Sequence, residues 1–370
     1  MSYRICCAIS GHGLGHAAQT AALVNHLAEE LPDIQIHIVS PLPRTVLARL
    51  LRVDFSLDNR TQDVGLIQPD PMQVDLEATA VGLRLLHAHW SYHLAEEKKF
   101  LAEWQPDLLL ANVPYLPIAA AAELGIPTLA IASLSWDAVL AAYFSRSDPE
   151  VEEWWQTMRQ AYALTTLALL PTPAILDNLP FPQVERIAPL TPPGHRRREA
   201  LRQSLGLAKE DERPLILVSL GGIPARHLPV HVLAQEERVH WLLDVPLPDH
   251  PGHLHSTPAL LPHYSFADLS ASVDGVVSKP GYGMATAATT QQIPFLYIRR
   301  GLFPDEPPIC AWMEQMGRAR ELSADHFYSG NWYAPLRELL DQPAKPHPPA
   351  NGIRMGVDII MRQFSGNLHA

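Results

Sequence analysis

The stretch "SGHGLGHAAQT", residues 10–20, links two different apolar patterns in this chain. Before it, residues 3–9 ("YRICCAI") are mostly apolar at consecutive positions, which is typical of a parallel strand buried on both faces. After it, small and apolar residues continue over residues 17–31 with the spacing of a helix. Glycine permits a sharp turn between such elements. The stretch therefore predicts a strand, a glycine turn and a helix, the opening of a parallel α/β sheet.

The same alternation recurs along the rest of the chain. Strands, with the turns that follow them, are predicted at residues 4–10, 34–40, 107–113, 127–133, 213–222, 239–245, 274–281 and 293–299. Helical patterns lie between the strands of the first half, at residues 17–31, 100–105 and 119–125. The fold class is therefore α/β, with two Rossmann-like parallel-sheet domains that face a cleft.

A stretch rich in proline and charge separates the two halves. We assign residues 1–185 to the first domain, 186–200 to a linker and 201–345 to the second domain. Residues 346–370 form a tail, and we expect its helix, at about residues 353–364, to pack back on the first domain.

Composition excludes several classes of protein. The chain has 370 residues, of which 47% are hydrophobic, enough for two buried cores. Its net charge of -11 argues against nucleic-acid binding, which requires an excess of cations. Its 3 cysteines form no disulfide framework and indicate a reducing compartment. No signal peptide and no stretch of roughly 20 apolar residues is present, so we expect a cytoplasmic protein without a transmembrane segment.

The glycine turn admits several chemical interpretations. A dinucleotide-binding turn requires a third glycine where His16 stands, and an acidic residue where the second strand ends in "IVS", residues 38–40. A Walker-type phosphate loop requires a lysine that this turn lacks. A zinc site on His12 and His16 lacks a third ligand, so no metal site is predicted. Two interpretations remain: structural histidines at a helix start, or a neutral imidazole that acts as a general base.

Ligands of open parallel sheets bind at the carboxyl ends of the strands. Four features of this chain fall at such positions: residues 11–16, 221–222, 279–283 and 299–306. Because two domains each offer turns of this kind, we expect the ligands to bind between the domains.

The residues at these turns resemble those of GT-B glycosyltransferases. The likeness rests on "SGHGLGH" (10–16), "SLGG" (219–222) and "KPGYGMATAATTQQIPFLYIRRGLFPDEP" (279–307). It is strongest with the glycosyltransferase-like N-terminal region of plant L-arabinokinases, which residues 63–79, 106–143 and 268–283 also resemble. The peptidoglycan N-acetylglucosaminyltransferase is a more distant likeness. The kinase domain of the L-arabinokinases has no counterpart in this sequence, so we do not expect sugar phosphorylation.

The resemblance implies an inverting, metal-independent transfer of a sugar from a nucleotide-sugar donor, expected to be a UDP-sugar, with no other cofactor. His16 would be the base, with His12 as a second candidate and Asp137 or Asp75 as an acidic partner that orients it. The residues implied in donor binding are Gly13, Gly15, Gly221, Gly222, Lys279, Gly281, Tyr282, Gly283, Arg299, Arg300, Asp305 and Glu306. Among these, Asp305 and Glu306 would contact sugar hydroxyls, and the two arginines would neutralise the leaving group.

One departure from the family pattern bears on the donor. The second-domain motif usually carries a glutamate that accepts both ribose hydroxyls, and Ala287 stands in its place, with Met284 where a hydroxyl residue is usual. Loss of such charge-assisted bonds costs roughly 1.5–3 kcal/mol. The resemblance implies a glycosyltransferase with an unknown acceptor, and this departure supports a rival. Two alternatives are a non-catalytic protein that binds a nucleotide or sugar phosphate, and a nucleotide-sugar epimerase of the same architecture.

Overall fold

The structure, a computed structural model, describes residues 3–221, 228–247 and 250–367. Within these ranges two parallel sheets form, one in each half of the chain. The first contains β1 (Arg4–Ile9), β2 (Gln35–Val39), β3 (Phe55–Asp58), β4 (Leu108–Asn112), β5 (Thr128–Ile131), β6 (Leu167–Pro171) and β7 (Val184–Ile187). The second contains β8 (Leu215–Val218), β9 (His240–Leu243), β10 (Leu254–Ser256), β11 (Gly275–Ser278), β12 (Phe295–Tyr297) and β13 (Ala319–Glu321).

Helices cover both sheets. Those of the first half are α1 (Gly15–Glu30), α2 (Arg44–Leu50), α3 (Leu76–Ala88), α4 (Trp90–Trp104), α5 (Leu116–Glu123), α6 (Trp136–Tyr143) and α7 (Pro149–Tyr162). Those of the second half are α8 (Arg198–Ser204), α9 (Val230–Leu233), α10 (Phe266–Ser272), α11 (Tyr282–Thr290), α12 (Glu306–Met316), α13 (Ala324–Ser329), α14 (Tyr333–Leu340) and α15 (Gly352–Asn367). A short 3₁₀ helix spans Thr257–Ala259.

The strand order places the glycine turns at the centre of each sheet. The first sheet runs β3-β2-β1-β4-β5-β6-β7 and the second runs β10-β9-β8-β11-β12-β13. Strand order reverses beside β1 and beside β8, the place where ligands bind in open parallel sheets. The predicted fold class is confirmed: two parallel-sheet α/β domains.

Burial on both faces explains the consecutive apolar residues of the strands. In β1, Cys6 and Ala8 belong to the hydrophobic core on one face of the sheet, whereas Ile5, Cys7 and Ile9 belong to the core on the other. Successive strand residues point to opposite faces, so both faces need apolar side chains.

The sequence prediction missed some strands. Strands β3, β6, β7, β10 and β13 are present in the structure but were not predicted. β7 ("VERI") lies at the edge of its sheet and is mostly exposed, while β10 and β13 span three residues each. Short or half-exposed strands carry little apolar pattern, which is why β3, β7, β10 and β13 were missed. Strand β6 ("LALLP") is buried throughout, and its apolar run was overlooked. Because β7 reaches Ile187, the first sheet extends two residues into the predicted linker.

The tail helix α15 packs against the first domain. Its residues Val357, Ile359 and Ile360 share a core with β1 and with Leu23 of α1. At Gly356 the helices are so close that a Cβ atom would lie 2.6 Å from Leu23.

Three residues, Tyr282, Phe303 and Met72, make contacts that hold the two domains together. The hydroxyl of Tyr282 accepts a hydrogen bond from the amide of Leu190 (3.0 Å) and donates one to the carbonyl of Thr172 (3.1 Å). Phe303, from the second half of the chain, is buried in the core of the first domain, and Met72 packs in the opposite direction against the core of the second. Across the described ranges, none of the helices has the length and apolar character needed to cross a membrane.

Candidate active site

His16 is positioned by the two central strands of the first sheet. It is the second residue of α1 and is buried. Strand β4 lies beside β1 with Asn112 opposite Ile9, which places the Asn112 side chain under the glycine turn. Nδ1 of His16 and Oδ1 of Asn112 are 2.8 Å apart.

The other bonds of Asn112 fix the tautomer of His16. Nδ2 of Asn112 donates to the carbonyl of His16 (3.1 Å) and to Oε1 of Gln19 (3.1 Å), so Oδ1 is the acceptor toward the imidazole. The proton of a neutral His16 therefore lies on Nδ1, and Nε2 carries the lone pair. Burial lowers the pKa of His16, opposed by the bond to Asn112 and by the charge of Asp305. His16 is thus a neutral imidazole with an accepting Nε2.

The acidic partner predicted for His16 is not the residue that orients it. Oδ2 of Asp137 instead accepts from Arg159 at 2.9 Å, in the first turn of α6. Asp75 caps α3 by accepting from the amide of Ala78. An amide, not a carboxylate, holds the imidazole, because Asn112 is the group that the pairing of β1 and β4 brings beside it.

His12 lies in the same part of the cleft. Its ring packs edge-on against Trp136, 5.2 Å between centroids, and is 6.4 Å from the ring of His16. Burial, and then the charges of His16, Lys279 and Arg300, lower the pKa of His12 to about 3. His12 is therefore neutral at physiological pH. Its Nε2 is buried and accepts or donates no hydrogen bond within the part of the chain that the structure describes.

Asp63 is a functional candidate that the sequence analysis missed. Its buried carboxylate accepts from Nε1 of Trp136 at 2.7 Å, behind the ring that packs on His12. Burial raises the pKa of Asp63 to about 6, against the bonds from Ser10 and Trp136 that lower it. Asp63 lies within the stretch 63–79 that resembles the L-arabinokinases, but no pattern in that stretch singles it out.

The glycines of the first turn leave open space. Gly13 has a φ of +75°, which favours glycine. A Cβ atom at Gly13 or at Gly15 would meet nothing within 4 Å. The space beside the turn at these two positions is therefore open.

Lys279 occupies the corresponding place in the second domain. It follows β11, and its Cε is 3.3 Å from the point where a Cβ of Gly221 would stand and 3.9 Å from that of Gly281. Gly221 has a φ of +89°, and Gly222 lies outside the described residues. Burial and the charge of Arg300 lower the pKa of Lys279 to about 7, opposed by Asp305, Glu306 and Asp70.

The N-terminus of α11 opens beside this lysine. Gly281 is its N-cap residue and supplies no side-chain cap, so the first amides of the helix have no capping oxygen. Gly283 is exposed, whereas the Tyr282 side chain is buried and its hydroxyl is engaged by Leu190 and Thr172. The glycines and the helix N-terminus are thus able to bind an anion. Tyr282 instead links the two domains.

The predicted arginines lie in two different settings. Arg299 is 42% exposed and pairs with Glu321 at 3.1 Å, away from the histidines. Arg300 is buried, donates from its backbone amide to Glu306 at 2.9 Å, lies 3.6 Å from Asp305 and stacks on Phe303. Two carboxylates already compensate Arg300. Lys279 is therefore the cation of the cleft without a close carboxylate partner among the described residues.

Ala287 lies on α11, and its apolar methyl group is buried. Met284 packs against the core of the second domain. The helix offers no acidic side chain at the position where the family pattern has glutamate. Within the described ranges, no three His, Cys, Asp or Glu side chains are grouped to hold a metal ion.

Comparisons with known proteins bear on this arrangement. No protein-family model matches the chain. It is 25% identical over 343 residues to L-arabinokinase from Arabidopsis thaliana, covering 88% of this chain and 31% of that protein. It resembles the solved glycotransferase of kitacinnamycin with a TM-score of 0.66, at 16% identity over 97% of this chain and 98% of the other. It also resembles the UDP-GlcNAc 2-epimerase from Neisseria meningitidis bound to UDP-GlcNAc, with a TM-score of 0.56, at 13% identity over 97% and 100% of the two chains.

These likenesses confirm the predicted GT-B glycosyltransferase fold and the predicted resemblance to L-arabinokinase. The structural neighbours include both glycosyltransferases and UDP-GlcNAc 2-epimerases. At 16% identity or less, these neighbours show the fold alone. The chain spans 31% of the length of the curated relative it matches.

Proposed function

We propose that this protein is a metal-independent, inverting glycosyltransferase that uses a UDP-sugar donor and an acceptor hydroxyl. The observation that carries the proposal is the 2.8 Å bond between Nδ1 of His16 and Asn112, which leaves Nε2 as a proton acceptor in the cleft. Support for a UDP-sugar comes from the structural likeness to an epimerase bound to UDP-GlcNAc.

The reaction follows from the two sides of the cleft. The acceptor hydroxyl gives its proton to Nε2 of His16 while its oxygen forms a bond to the anomeric carbon. The bond from that carbon to the diphosphate oxygen breaks, and its electron pair leaves with UDP. Attack opposite the leaving group inverts the anomeric centre.

The second domain supplies the leaving-group site. Gly221, Gly281 and the first amides of α11 suit the diphosphate, with Lys279 between the two glycines. Because Nε of Arg300 bonds to Oε1 of Glu306 at 2.5 Å, we assign neutralisation of the leaving group to Lys279. We assign Asp305 to a sugar hydroxyl, since its Oδ1 lies 3.6 Å from Arg300 as an ion pair but accepts no hydrogen bond from the described part of the chain.

The test is release of UDP from UDP-GlcNAc and UDP-glucose, with and without a panel of sugar and alcohol acceptors. We expect His16→Gln to reduce acceptor-dependent release about 100-fold or more, because general-base catalysis contributes 10²–10⁴-fold. His89→Gln, at an exposed histidine between α3 and α4, is the matched control and keeps full activity. Release that is equal in wild type and His16→Gln would overturn the base assignment. Tight binding of UDP without any turnover would favour the non-catalytic alternative.

A second candidate function is epimerisation of a nucleotide sugar. It is favoured by Asp63, a buried acid whose pKa is raised to about 6 by burial, beside the ring that packs on His12. Such a group can hold and return a proton near neutral pH. Product analysis separates the candidates, since an epimerase interconverts two UDP-sugars without an acceptor, whereas a transferase releases UDP.

A further inference from the structure

The segment of residues 63–72 crosses from the first domain to the second. Asp63 anchors one end through Trp136 in the first domain. Gly65, at a φ of +61°, lies so close to Trp136 that a Cβ atom would be 2.9 Å from its ring. At the other end Asp70 is buried within reach of the charge of Lys279, and Met72 packs against the second domain's core. Both ends of this crossing segment are therefore fixed.

Gln68 lies between these anchors with an unsatisfied amide. Both Oε1 and Nε2 of Gln68 are buried, and neither has a hydrogen-bond partner in the described part of the chain. The segment passes His12, since a Cβ atom at Gly65 would lie 3.4 Å from Cδ2 of that ring. Gln68 interacts with His12 strongly enough to raise the pKa of the imidazole, although no hydrogen bond of normal geometry joins the amide to Nε2 of His12. The buried polar atoms of Gln68 and His12 thus lie near each other, with hydrogen-bonding capacity that the described part of the chain leaves unused.

Such a cluster is rare in native proteins because each buried polar group without a partner opposes folding. Gln62, six residues earlier, donates from its Nε2 to Glu97 at 2.9 Å and leaves only its Oε1 unpartnered, whereas neither end of the Gln68 amide is bonded. The unpartnered amide of Gln68 indicates a ligand group that supplies the missing bonds.

We propose that Gln68 binds hydroxyl groups of the sugar that is transferred from the donor. The inference rests on the proposed glycosyltransferase function and adds the residue that recognises the sugar. An amide offers two donor hydrogens and an accepting oxygen, which match adjacent hydroxyls of a sugar. His12 is neutral, so the group bound there is polar and uncharged.

The position of Gln68 favours the donor sugar over the acceptor. On one side lies His12, next to the proposed base, and two residues further on lies Asp70, which feels the charge of Lys279. A group that touches Gln68 therefore lies between the base and the proposed diphosphate site. In a transfer reaction that place belongs to the sugar whose anomeric carbon is attacked.

The experiment compares the affinity of each nucleoside diphosphate with that of its sugar conjugate by calorimetry. UDP with UDP-glucose and UDP-GlcNAc, and dTDP with dTDP-glucose, are titrated into the wild type and Gln68→Met. Methionine keeps the length of the side chain and removes the amide. We expect Gln68→Met to weaken the sugar conjugate about 5- to 30-fold and to leave the diphosphate unchanged.

Thermal unfolding of the ligand-free protein separates binding from structure. If Gln68 serves a ligand, Gln68→Met raises Tm, since a buried unsatisfied amide is replaced by an apolar chain. A purely structural amide would give the opposite sign. Gln73→Ala, at an exposed glutamine just beyond the segment, is the control and changes neither affinity nor Tm appreciably.

The outcomes distinguish this inference from the function on which it rests. If the wild type binds neither diphosphate, both the donor site and this inference are wrong. Diphosphate binding with an unchanged conjugate-to-diphosphate ratio in Gln68→Met overturns the role of Gln68 alone. An unchanged ratio with a raised KM for the acceptor would assign Gln68 to the acceptor, and the donor-sugar assignment would be wrong.

Discussion

The Asn112 amide holds the His16 imidazole by a 2.8 Å bond from Nδ1 to Oδ1, across 96 residues of sequence. The bond selects the tautomer that a base requires without adding a negative charge. Burial can therefore keep the pKa of His16 low, because the partner stabilises the imidazolium less than a carboxylate would.

Replacing that amide by a carboxylate tests this relationship. In Asn112→Asp the new charge raises the pKa of His16, so the imidazole becomes protonated at a higher pH. Since the base acts in its neutral form, the acidic limb of the pH profile of kcat/KM moves to higher pH, by about one unit or more. The profile of UDP release between pH 5 and pH 9 measures the shift.

Asn25→Asp is the control for this substitution. Asn25 lies on the same helix and bonds to the backbone of Leu50 and Arg52, away from the imidazole. Its variant is expected to retain the wild-type acidic limb. A profile that does not move in Asn112→Asp would mean that His16 is not the titrating base.

The lowered pKa of Lys279 predicts that the affinity for the diphosphate depends on pH. Its pKa in the free protein is about 7, lowered first by burial. A bound diphosphate stabilises the ammonium, so binding takes up a proton above pH 7. UDP affinity then falls as pH rises from 7 to 9, approaching tenfold per unit, and is flat below 7. Calorimetry in buffers of different ionisation enthalpy measures the uptake.

Two variants isolate the lysine. Lys279→Met removes a charge-assisted contact and is expected to weaken UDP about 10- to 100-fold and to abolish the proton uptake. Lys209→Met, at an exposed lysine of the same domain, leaves both unchanged. Undiminished proton uptake in Lys279→Met would place the titrating group elsewhere.

The fold was predictable because its central elements carry strong local patterns. The strand, glycine turn and helix over residues 4–31 each follow from residue type, and β1 and α1 form where expected. The partner of His16 was not predictable in the same way. The family resemblance suggested an acid, Asp137 or Asp75, as the partner, whereas the actual partner, Asn112, is brought close by the pairing of β1 with β4.

The crossing segment shows a second limit of sequence analysis. Asp63 and Gln68 lie in a loop between β3 and α3 without helical or strand periodicity. Their roles depend on burial and on missing partners, which are properties of the folded chain. No spacing rule identifies them.

Because the pKa of Asp63 is raised by burial, we predict that the protein loses stability as pH rises. Its pKa is raised to about 6 when folded, above the unfolded value of 3.8, so the folded state binds more protons between these pH values. The contribution of Asp63 to the free energy of unfolding is therefore largest below pH 4 and is lost as pH rises to about 6. Asp63→Asn removes this dependence and is expected to stabilise the protein at pH 7.5 by roughly 1–3 kcal/mol.

Urea unfolding at pH 5 and pH 7.5 measures the effect. The gain of Asp63→Asn over the wild type should be larger at pH 7.5 than at pH 5. Asp54→Asn, at an exposed aspartate, is expected to show no such difference. An equal gain at both pH values would mean that Asp63 does not titrate in this range.

We predict that the buried ring of Phe303 is one of the contacts that hold the two domains closed. It is buried in the first domain's core, 5.8 Å from the ring of Tyr143, and stacks on Arg300 at 3.6 Å. Phe303→Ala removes a buried ring of the kind that contributes about 3–5 kcal/mol in a core, so the cleft should open and KM for the donor should rise. Small-angle scattering is expected to show a larger radius of gyration for this variant, while Leu302→Ala, at a neighbour that is 66% exposed, matches the wild type. An unchanged radius with an unchanged KM would show that Phe303 does not hold the domains together.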